Sequence, residues 1–580
     1  MKKFLPALLA TALLPCLATG SPPARPEHPN ILLVVSDDQG FSDFGFSGNP
    51  VVKTPLLDRL AAESAVLKNF VVSPACSPTR AALLTGRDPL RTGVWGVPPR
   101  ANLRPDETLM PAYFLNSGYR TCYAGKADIA RTALFTPWEL GWEDSWTVSG
   151  YQQQNPKLAT RQGVVDRQGW TMDILTDLSI EFIEKNRGRP WFLTLAPIIP
   201  HLPWECPEEY SDPFLKKGLS PDLAKCYGSI AHMDHCLGRV LEAIKATGQS
   251  DRTIIVFLSD NGMSYKYNDK RDVSEEDWAI RNFHGLRGAK ATVWENGIIS
   301  PLLVSWPGRI PASPRAQFGA VEDILPTLLS LAGVKPLQAP LALDGVDLSP
   351  ALLDPAAPVE RPAVFRMAVS HEGSPRVKNG IVPDPEKLSF EDHHLTLRDG
   401  RYKLHSLPGG KHQLFDITAD AKEASDVSQS EPEMVAAMLA ELRSRWDDII
   451  TEGRAFGMPV VQLSAGGRTI IPGFAAQRLS GRAHVVGATT RGLGTSGDSV
   501  AYRVQAAQPG HYALEVRGSN LKGDWILKIG DQTLAPESKT GSPLKFPRID
   551  VPAGVVELTL TRSSDSAEEG IIDQLAFLHF

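Results

Sequence analysis

Five short stretches of this chain carry side chains able to hold a metal ion, grip an anion and move a proton. Asp37-Asp38 follows the apolar run Asn30 to Val35, and Gly125-Lys126 follows Tyr119 to Ala124. Pro200-His201-Leu202-Pro203 comes after Trp191 to Ala196, and Asp260-Asn261-Gly262 after Thr253 to Leu258. Asp37, Asp38, Asp260 and Asn261 offer only oxygen donors, which select Ca2+ or Mg2+ over zinc. Lysine and histidine beside them suit a bound anion and proton transfer. Singly, each has a plainer reading, since Asn and Asp are turn formers and a lone histidine after a strand is usually a satisfied loop residue. Delivered together by four runs, they describe one polar site. The fifth stretch is Cys76-Ser77-Pro78-Thr79-Arg80, followed by Ala81 to Leu84 and Thr85-Gly86-Arg87. It reads locally as a helix start with Ser77 as N-cap, Pro78 at the first helical position and Ala81 to Leu84 toward the core. Such a start adds amide donors and a dipole favourable to an anion.

The elements that must position these groups are legible in the periodicity. The four apolar runs are of the buried parallel-strand type. Helical patterns at Leu56 to Ala65, Thr171 to Lys185 and Ile230 to Lys245 lie between them. Strands alternating with helices predict an α/β fold, a large mixed, mainly parallel sheet sandwiched by helices, with ligands outside the carboxyl ends of its strands. A helix interrupted or begun near Pro326 is expected within Val321 to Gly333, then a turn at Asp399-Gly400 into a strand, and a helix from about Glu431 to Ile449. Beyond about Gly457, short strands at Val500 to Val504, Tyr512 to Val516, Trp525 to Ile529 and Val555 to Thr561 alternate with Gly/Pro/Ser turns, the signature of a β-sandwich.

With 580 residues, 42% of them hydrophobic, the chain can bury a large core. A net charge of −6 argues against a general nucleic-acid binder. Met1-Lys2-Lys3, the apolar run Phe4 to Leu17 and Ala18-Thr19-Gly20 read as a secretory signal peptide cleaved after Gly20. The run is short for a spanning helix and contains Pro6 and Pro15, so an exported protein, periplasmic or extracellular, with no stable membrane span is expected. Export permits disulfides among Cys122, Cys206, Cys226 and Cys236, with free buried thiols as the alternative.

Cys76-Ser77-Pro78-Thr79-Arg80 with Thr85-Gly86-Arg87 resembles the signature of the type I, formylglycine-dependent sulfatases of the alkaline phosphatase superfamily, over about residues 30–450. The resemblance implies that a formylglycine-generating maturation enzyme oxidises Cys76 to formylglycine, whose gem-diol attacks the sulfur of a sulfate ester. It implies one Ca2+, with Mg2+ as the substitute, held by Asp37, Asp38, Asp260, Asn261 and the residue-76 oxygen. Arg80 would stabilise the formylglycine and its charge, and Lys126 and Lys290 would contact sulfate oxygens. His201, in P-H-x-P, would serve the leaving oxygen. Lys290 sits in His284-Gly285-Leu286-Arg287-Gly288-Ala289-Lys290, with Glu295-Asn296-Gly297 after it, similar to the family's R-G-x-K…E-G-G run.

Two positions depart from the family pattern. Asp128 stands where a histidine usually follows the first lysine, and the arginine usual after the E-G-G glycine is absent from Gly297-Ile298-Ile299. Asp128 is one candidate for the base that releases sulfate, and another residue such as His284, also a candidate substrate contact, is the second. Impaired turnover is the third reading. The expected organisation is a signal peptide (1–20), an N-terminal catalytic α/β domain (21–355), a smaller C-terminal α+β subdomain (356–456) and an accessory β-sandwich (457–580). Export plus the sandwich favours a sulfated glycan as substrate. The alternatives are a phosphonate or phosphodiester hydrolase, or a catalytically silent protein that binds sulfated glycans. His232 and His235 read as core or surface histidines on a packing helix, and the stretches Gly150 to Gln168 and Ser264 to Asn282 carry no pattern that assigns them a role.

Overall fold

A computed structural model of the chain describes residues 28–580 except 98–102, 105, 129–136, 139, 149, 265–273, 338–340, 370–388, 453–459, 464–467, 487–488 and 539–540. The leader at 1–20 and Cys16 within it lie outside the described residues. Strands β1 (Asn30–Ser36), β2 (Ala65–Leu67), β3 (Phe70–Val71), β4 (Arg120–Gly125), β5 (Asp144–Val148) and β6 (Lys157–Thr160) come first in the chain. They are followed by β7 (Gly163–Asp166), β8 (Trp191–Ala196), β9 (Thr253–Ser259), β10 (Leu302–Ser305), β11 (Ser313–Arg315) and β12 (Gly319–Ala320). All but β3 and β12, which pair with each other, join one ten-stranded sheet in the order β11-β2-β10-β9-β1-β8-β4-β5-β6-β7. Its centre, β9-β1-β8-β4-β5, is parallel throughout, with Ile31 opposite both Phe192 and Ile254.

The unbroken apolar runs are explained by two cores, one on each face. Along β1, Ile31, Leu33 and Val35 enter one core and Leu32 and Val34 the other. Helices α1 (Pro55–Ala62), α2 (Cys76–Thr85), α3 (Met110–Asn116), α4 (Thr171–Lys185), α5 (Glu208–Leu215) and α6 (Pro221–Ala246) are followed by α7 (Glu275–Arg281), α8 (Glu295–Ile298), α9 (Ile324–Ala332) and α10 (Ser349–Leu353). The first core takes α2, α3 and α9, and the second takes α1, α4 and α6. Among the described residues no helix is long and apolar enough to cross a membrane.

Three expectations shift. Helix α1 stops at Ala62, because Ala65 opens β2 and pairs with Val304. Helix α6 begins at Pro221, well before Ile230, because Ser220 Oγ accepts from the Leu223 amide at 3.2 Å with Pro221 in the first turn. Helix α2 starts two residues earlier than the cap reading: Ala75 is the extended N-cap residue and Cys76 is already helical. Ser77 is therefore not the cap, and its Oγ donates to Asp128 at 3.2 Å. The described cysteines are free thiols, not disulfides.

Strands β13 (Val364–Met367), β14 (Leu395–Arg398), β15 (Tyr402–Leu407) and β16 (Lys411–Asp416) form an antiparallel sheet in that order. Helix α11 (Pro432–Thr451) lays Met438, Leu442, Trp446 and Ile449, spaced along one helical face, onto Leu395, Leu397, Leu404 and Leu414. The last 120 residues hold two further sheets, each of six strands. One is centred on Ser499–Ala506 and Gly554–Arg562, the other on Gly510–Ser519 and Gly570–His579. Alternate residues such as Tyr502, Val504, Leu514, Val516, Leu558 and Phe577 are buried.

Candidate active site

The strand ends deliver the expected groups to one place. Asp37 and Asp38 leave β1, where the Asp37 amide donates to Ile199 O at 2.9 Å and Asp38 adopts φ 64°. Lys126 follows Gly125, whose φ of 126° and a hypothetical Cβ 1.9 Å from Ala196 O admit only glycine beside β8. Asp260 and Asn261 follow β9, and there a Cβ on Gly262 would sit 1.6 Å from Asn296 O, so the close approach of α8 also requires glycine. These turns let backbone pack against backbone and aim the side chains inward.

Cys76, at the first helical position of α2, points its sulfur into this cluster. Its Sγ lies 3.3 Å from Asp128 Oδ2, which also takes the Ser77 hydroxyl and stands 3.6 Å from Lys126 Nζ. Asp128 holds φ 41°, a left-handed conformation that aspartate tolerates better than most residues. Arg80, one turn after Cys76, does not bond the sulfur. Its guanidinium forks onto Asp260 Oδ2 at 3.0 and 2.7 Å and donates to the Lys126 carbonyl at 3.0 Å, tying two strand ends together. Lys126 Nζ donates to both Asp37 oxygens at 2.9 Å. Lys290 Nζ donates to Asp38 Oδ1 at 2.6 Å, and Asn261 Nδ2 to the same oxygen at 2.9 Å. His201 places Nε2 3.8 Å from Asp38 Oδ2, and Nδ1 donates to Leu202 O at 2.7 Å. Because a carbonyl only accepts, that contact assigns a hydrogen to Nδ1.

Burial alone would push these carboxyls up, but the ammonium groups oppose it. At Asp37 the Lys126 charge, with His201, Arg80 and Lys290, overrides burial and holds the carboxyl well below the usual range. Asp38 is likewise lowered, against burial, chiefly by Lys290. Asp260 goes the other way, raised to about 6 by burial and the neighbouring Asp37 despite Arg80. Burial pushes the Cys76 thiol up to about 12, so it stays protonated and a poor nucleophile at neutral pH.

The donor set fits a hard divalent cation. Asp37, Asp38, Asp260 and Asn261 are buried to within 1% of full burial, and Asp37, Cys76 and Asp260 place ligand atoms within 4.8 Å of one another. Asp38 Oδ2 and Asn261 Oδ1 are buried without a hydrogen-bond partner. Two orphaned acceptors among carboxylates are costly unless a cation meets them.

Several neighbours were not singled out in the sequence. Tyr151 stacks on His201 with ring centroids 3.9 Å apart and planes at 8°, and lies under Lys126 Nζ at 4.9 Å. Gln153 donates to His201 O at 3.4 Å. Arg281 forks onto the buried Asp43 and donates to Asp38 O at 3.2 Å. An isolated Tyr or Gln in the loop after β5 gives no period or motif to find, and Arg281 meets Asp43 across 238 residues. His284 lies apart from the sulfur, its Nδ1 2.9 Å from Ser42 Oγ and its ring against Phe41 and Phe283.

The segment carrying Lys290 is closed by a buried ionic network. Glu295, opening α8, accepts from Arg398 at 2.7 Å and from Lys403 at 3.1 Å. Its own amide donates to Glu423 Oε2 at 2.7 Å, and Glu423 Oε1 also pairs with Lys403 and His405.

Comparison with known proteins identifies this architecture. The sulfatase family model matches residues 29–334. An N-acetylgalactosamine-6-sulfatase of Mus musculus is 30% identical over 383 residues, 60% of this chain and 69% of the relative. The ulvan-active sulfatase of Formosa agariphila is 29% identical over 445 residues, 70% of this chain and 78% of the relative. The crystal structure of Ps i-CgsB in complex with k-i-k-neocarrahexaose superimposes with a TM-score of 0.63 at 25% identity, covering 73% of this chain and 94% of the other. The family match spans more than half of the chain and includes the strand ends and the Cys76 helix, so the chain belongs to the sulfatase family and is a sulfuric ester hydrolase.

Proposed function

We propose that the protein is an exported sulfatase that removes sulfate from a sulfated carbohydrate, using a formylglycine made from Cys76 and a Ca2+ held by Asp37, Asp38, Asp260 and Asn261, with Mg2+ as the substitute. The observation that carries this reading is the placement of residue 76. Its side chain meets a base, two lysines and a carboxylate cage, yet as a thiol it is held protonated. A gem-diol there supplies the nucleophile that the thiol cannot. The names of the relatives, a hexosamine-sulfate sulfatase and an ulvan-active sulfatase, and the carrageenan-type oligosaccharide bound by the structural neighbour support a glycan substrate.

When bound, the cation supplies Lewis-acid polarisation of the sulfate and of the residue-76 hydroxyl. Lys126 and Lys290 bind and orient the sulfate oxygens, and Arg80 holds Asp260 in place. As one gem-diol hydroxyl gives its proton to water and attacks sulfur, protonated His201 gives the Nε2 proton to the leaving alcohol oxygen and the S–O ester bond breaks. Asp128 then takes the proton of the second hydroxyl. The carbonyl of residue 76 re-forms, its C–O bond to sulfate breaks, and water restores the gem-diol.

The test is peptide mass spectrometry across residue 76 of protein from its native host, paired with sulfate release from sulfated oligosaccharides. The expected result is an aldehyde or its hydrate at residue 76 and free sulfate. An unmodified thiol in an active preparation overturns the nucleophile. Faster turnover of a phosphodiester than of every sulfate ester tested overturns the substrate class.

A further inference from the structure

We propose that Asp173, His232 and Cys236 form a second metal site, for a single divalent transition cation of the zinc type, on the helical layer away from the strand-end cluster. His232 and Cys236 are four residues apart on α6 and so share one face, and Asp173 sits in the first turn of the neighbouring α4. Asp173 Oδ2 lies 3.0 Å from His232 Nε2, Asp173 Oδ1 lies 3.5 Å from Cys236 Sγ, and the three ligand atoms are within 4.8 Å of one another. Tetrahedral zinc, with bonds of about 2.0–2.3 Å to nitrogen, oxygen and sulfur, sets its donors roughly 3.3–3.7 Å apart. The two carboxylate spacings lie close to that range, and all three ligand atoms stay within 4.8 Å, so one cation can draw them together.

The donors also select the ion. One thiol, one imidazole and one carboxylate suit zinc or cobalt and suit calcium poorly, the reverse of the all-oxygen cage at the strand ends. His232 and Cys236 are buried, whereas the Asp173 side chain is 38% exposed, so the ion enters from the Asp173 side and keeps water in its fourth position. Tyr210 stacks on the His232 ring at 4.8 Å and Trp170 meets it edge-on at 6.3 Å, which fixes the imidazole plane before any ion arrives. Arg239 donates to Asp173 Oδ1 at 3.2 Å but also to Asp177 at 2.5 Å, so it keeps a carboxylate partner when Asp173 turns to the ion.

Coordination replaces the Cys236 S–H bond by a metal–sulfur bond and releases that proton to water, so affinity rises with pH. The ion would pin the start of α4 to α6. The Thr171 amide next to this turn holds Gln153 O at 2.9 Å, and Gln153 in turn reaches His201 O.

The test is a Co2+ titration of the full-length, Ca2+-loaded protein, following thiolate-to-cobalt charge-transfer absorption and the metal retained after gel filtration. The expected result is one equivalent of Co2+ with the charge-transfer band, displaced by Zn2+. The band is lost in Cys236→Ser, and Co2+ binding weakens at least tenfold in Asp173→Asn, whose exposed amide keeps the fold. Cys206→Ser keeps the band. No band in the unaltered protein overturns the proposal, and so does a band that survives Cys236→Ser in protein with an unchanged circular dichroism spectrum.

Discussion

Asp128 is the residue at which this protein departs most from its family's pattern, and its position gives the departure a chemical meaning. A carboxylate 3.3 Å from the residue-76 sulfur is within reach of any oxygen that replaces that sulfur. A base there contributes on the order of 10²–10⁴ in rate. Asp128→Asn is therefore expected to lower kcat by about a hundredfold or more, and a covalent sulfate adduct on residue 76 should build up in the mass spectrum, because attack proceeds and release does not. Asp128→His should restore turnover and abolish the adduct. Slow turnover in Asp128→Asn without an adduct would mean that Asp128 only holds Ser77. Much of this residue level was legible. Asp37, Asp38, Lys126, His201, Asp260 and Asn261 were readable because each follows an apolar run, and strand periodicity says where a run ends, whereas Lys290 was reached only through the resemblance of its glycine-rich stretch to the family's run. The Ser77 cap was misread because Ser-Pro is a strong helix-start signal, and only the Asp128 carboxylate, 51 residues away, explains why the hydroxyl points elsewhere.

At the scale of elements, the segment between β5 and α4 does more than connect them. Tyr151 is the flat surface against which the His201 ring lies, and stacking of this kind is worth about 0.5–1.5 kcal/mol beyond burial. Tyr151→Ala is expected to reduce kcat about tenfold with a smaller change in KM in steady-state assays, since the proton donor loses its orientation. Tyr151→Phe keeps the ring and should stay close to the parent. Equal losses in both variants would show that the hydroxyl matters and the stacking does not. Periodicity identified the long elements well, among them α4, α11 and β8, and failed on this segment because one aromatic ring in a polar stretch has no period.

On the scale of the whole molecule, the helical layer and the β13–β16 sheet meet at a cavity of about 180 Å³ lined by Asp88, Arg91, Glu322, Asp344, Arg361 and Arg366. Burial, with Glu322 and Asp344 close by and Arg366 only partly compensating, raises Asp88 from 3.8 to about 7. A carboxyl whose folded-state pKa is raised binds more protons when folded, so its contribution to stability falls as pH climbs from 3.8 to about 7 and is at its worst above that. Asp88→Asn, which can keep the bond from the Leu90 amide, should leave stability nearly unchanged at pH 4 and add about 2 kcal/mol at pH 8. Denaturant titrations of both proteins across that range check this, and a gain that does not grow with pH would assign Asp88 no buried charge. None of this was visible in the sequence, because Asp88, Glu322 and Arg366 meet only through tertiary packing.

The Glu295–Glu423 lock has a consequence in time. The Glu295 amide waits for a carboxylate 128 residues downstream, and a chain leaving the ribosome at about 5–20 residues per second takes on the order of ten seconds to supply it. Asp37, Lys126, His201 and Asp260 are all made before Arg398, Lys403 and Glu423, so the segment carrying Lys290 waits longest for the partners that close it. The anion pocket is thus finished last from its carboxyl-terminal side, and substitutions at Arg398, Lys403 or Glu423 should show themselves as slow acquisition of activity after synthesis before they show as a weaker active site.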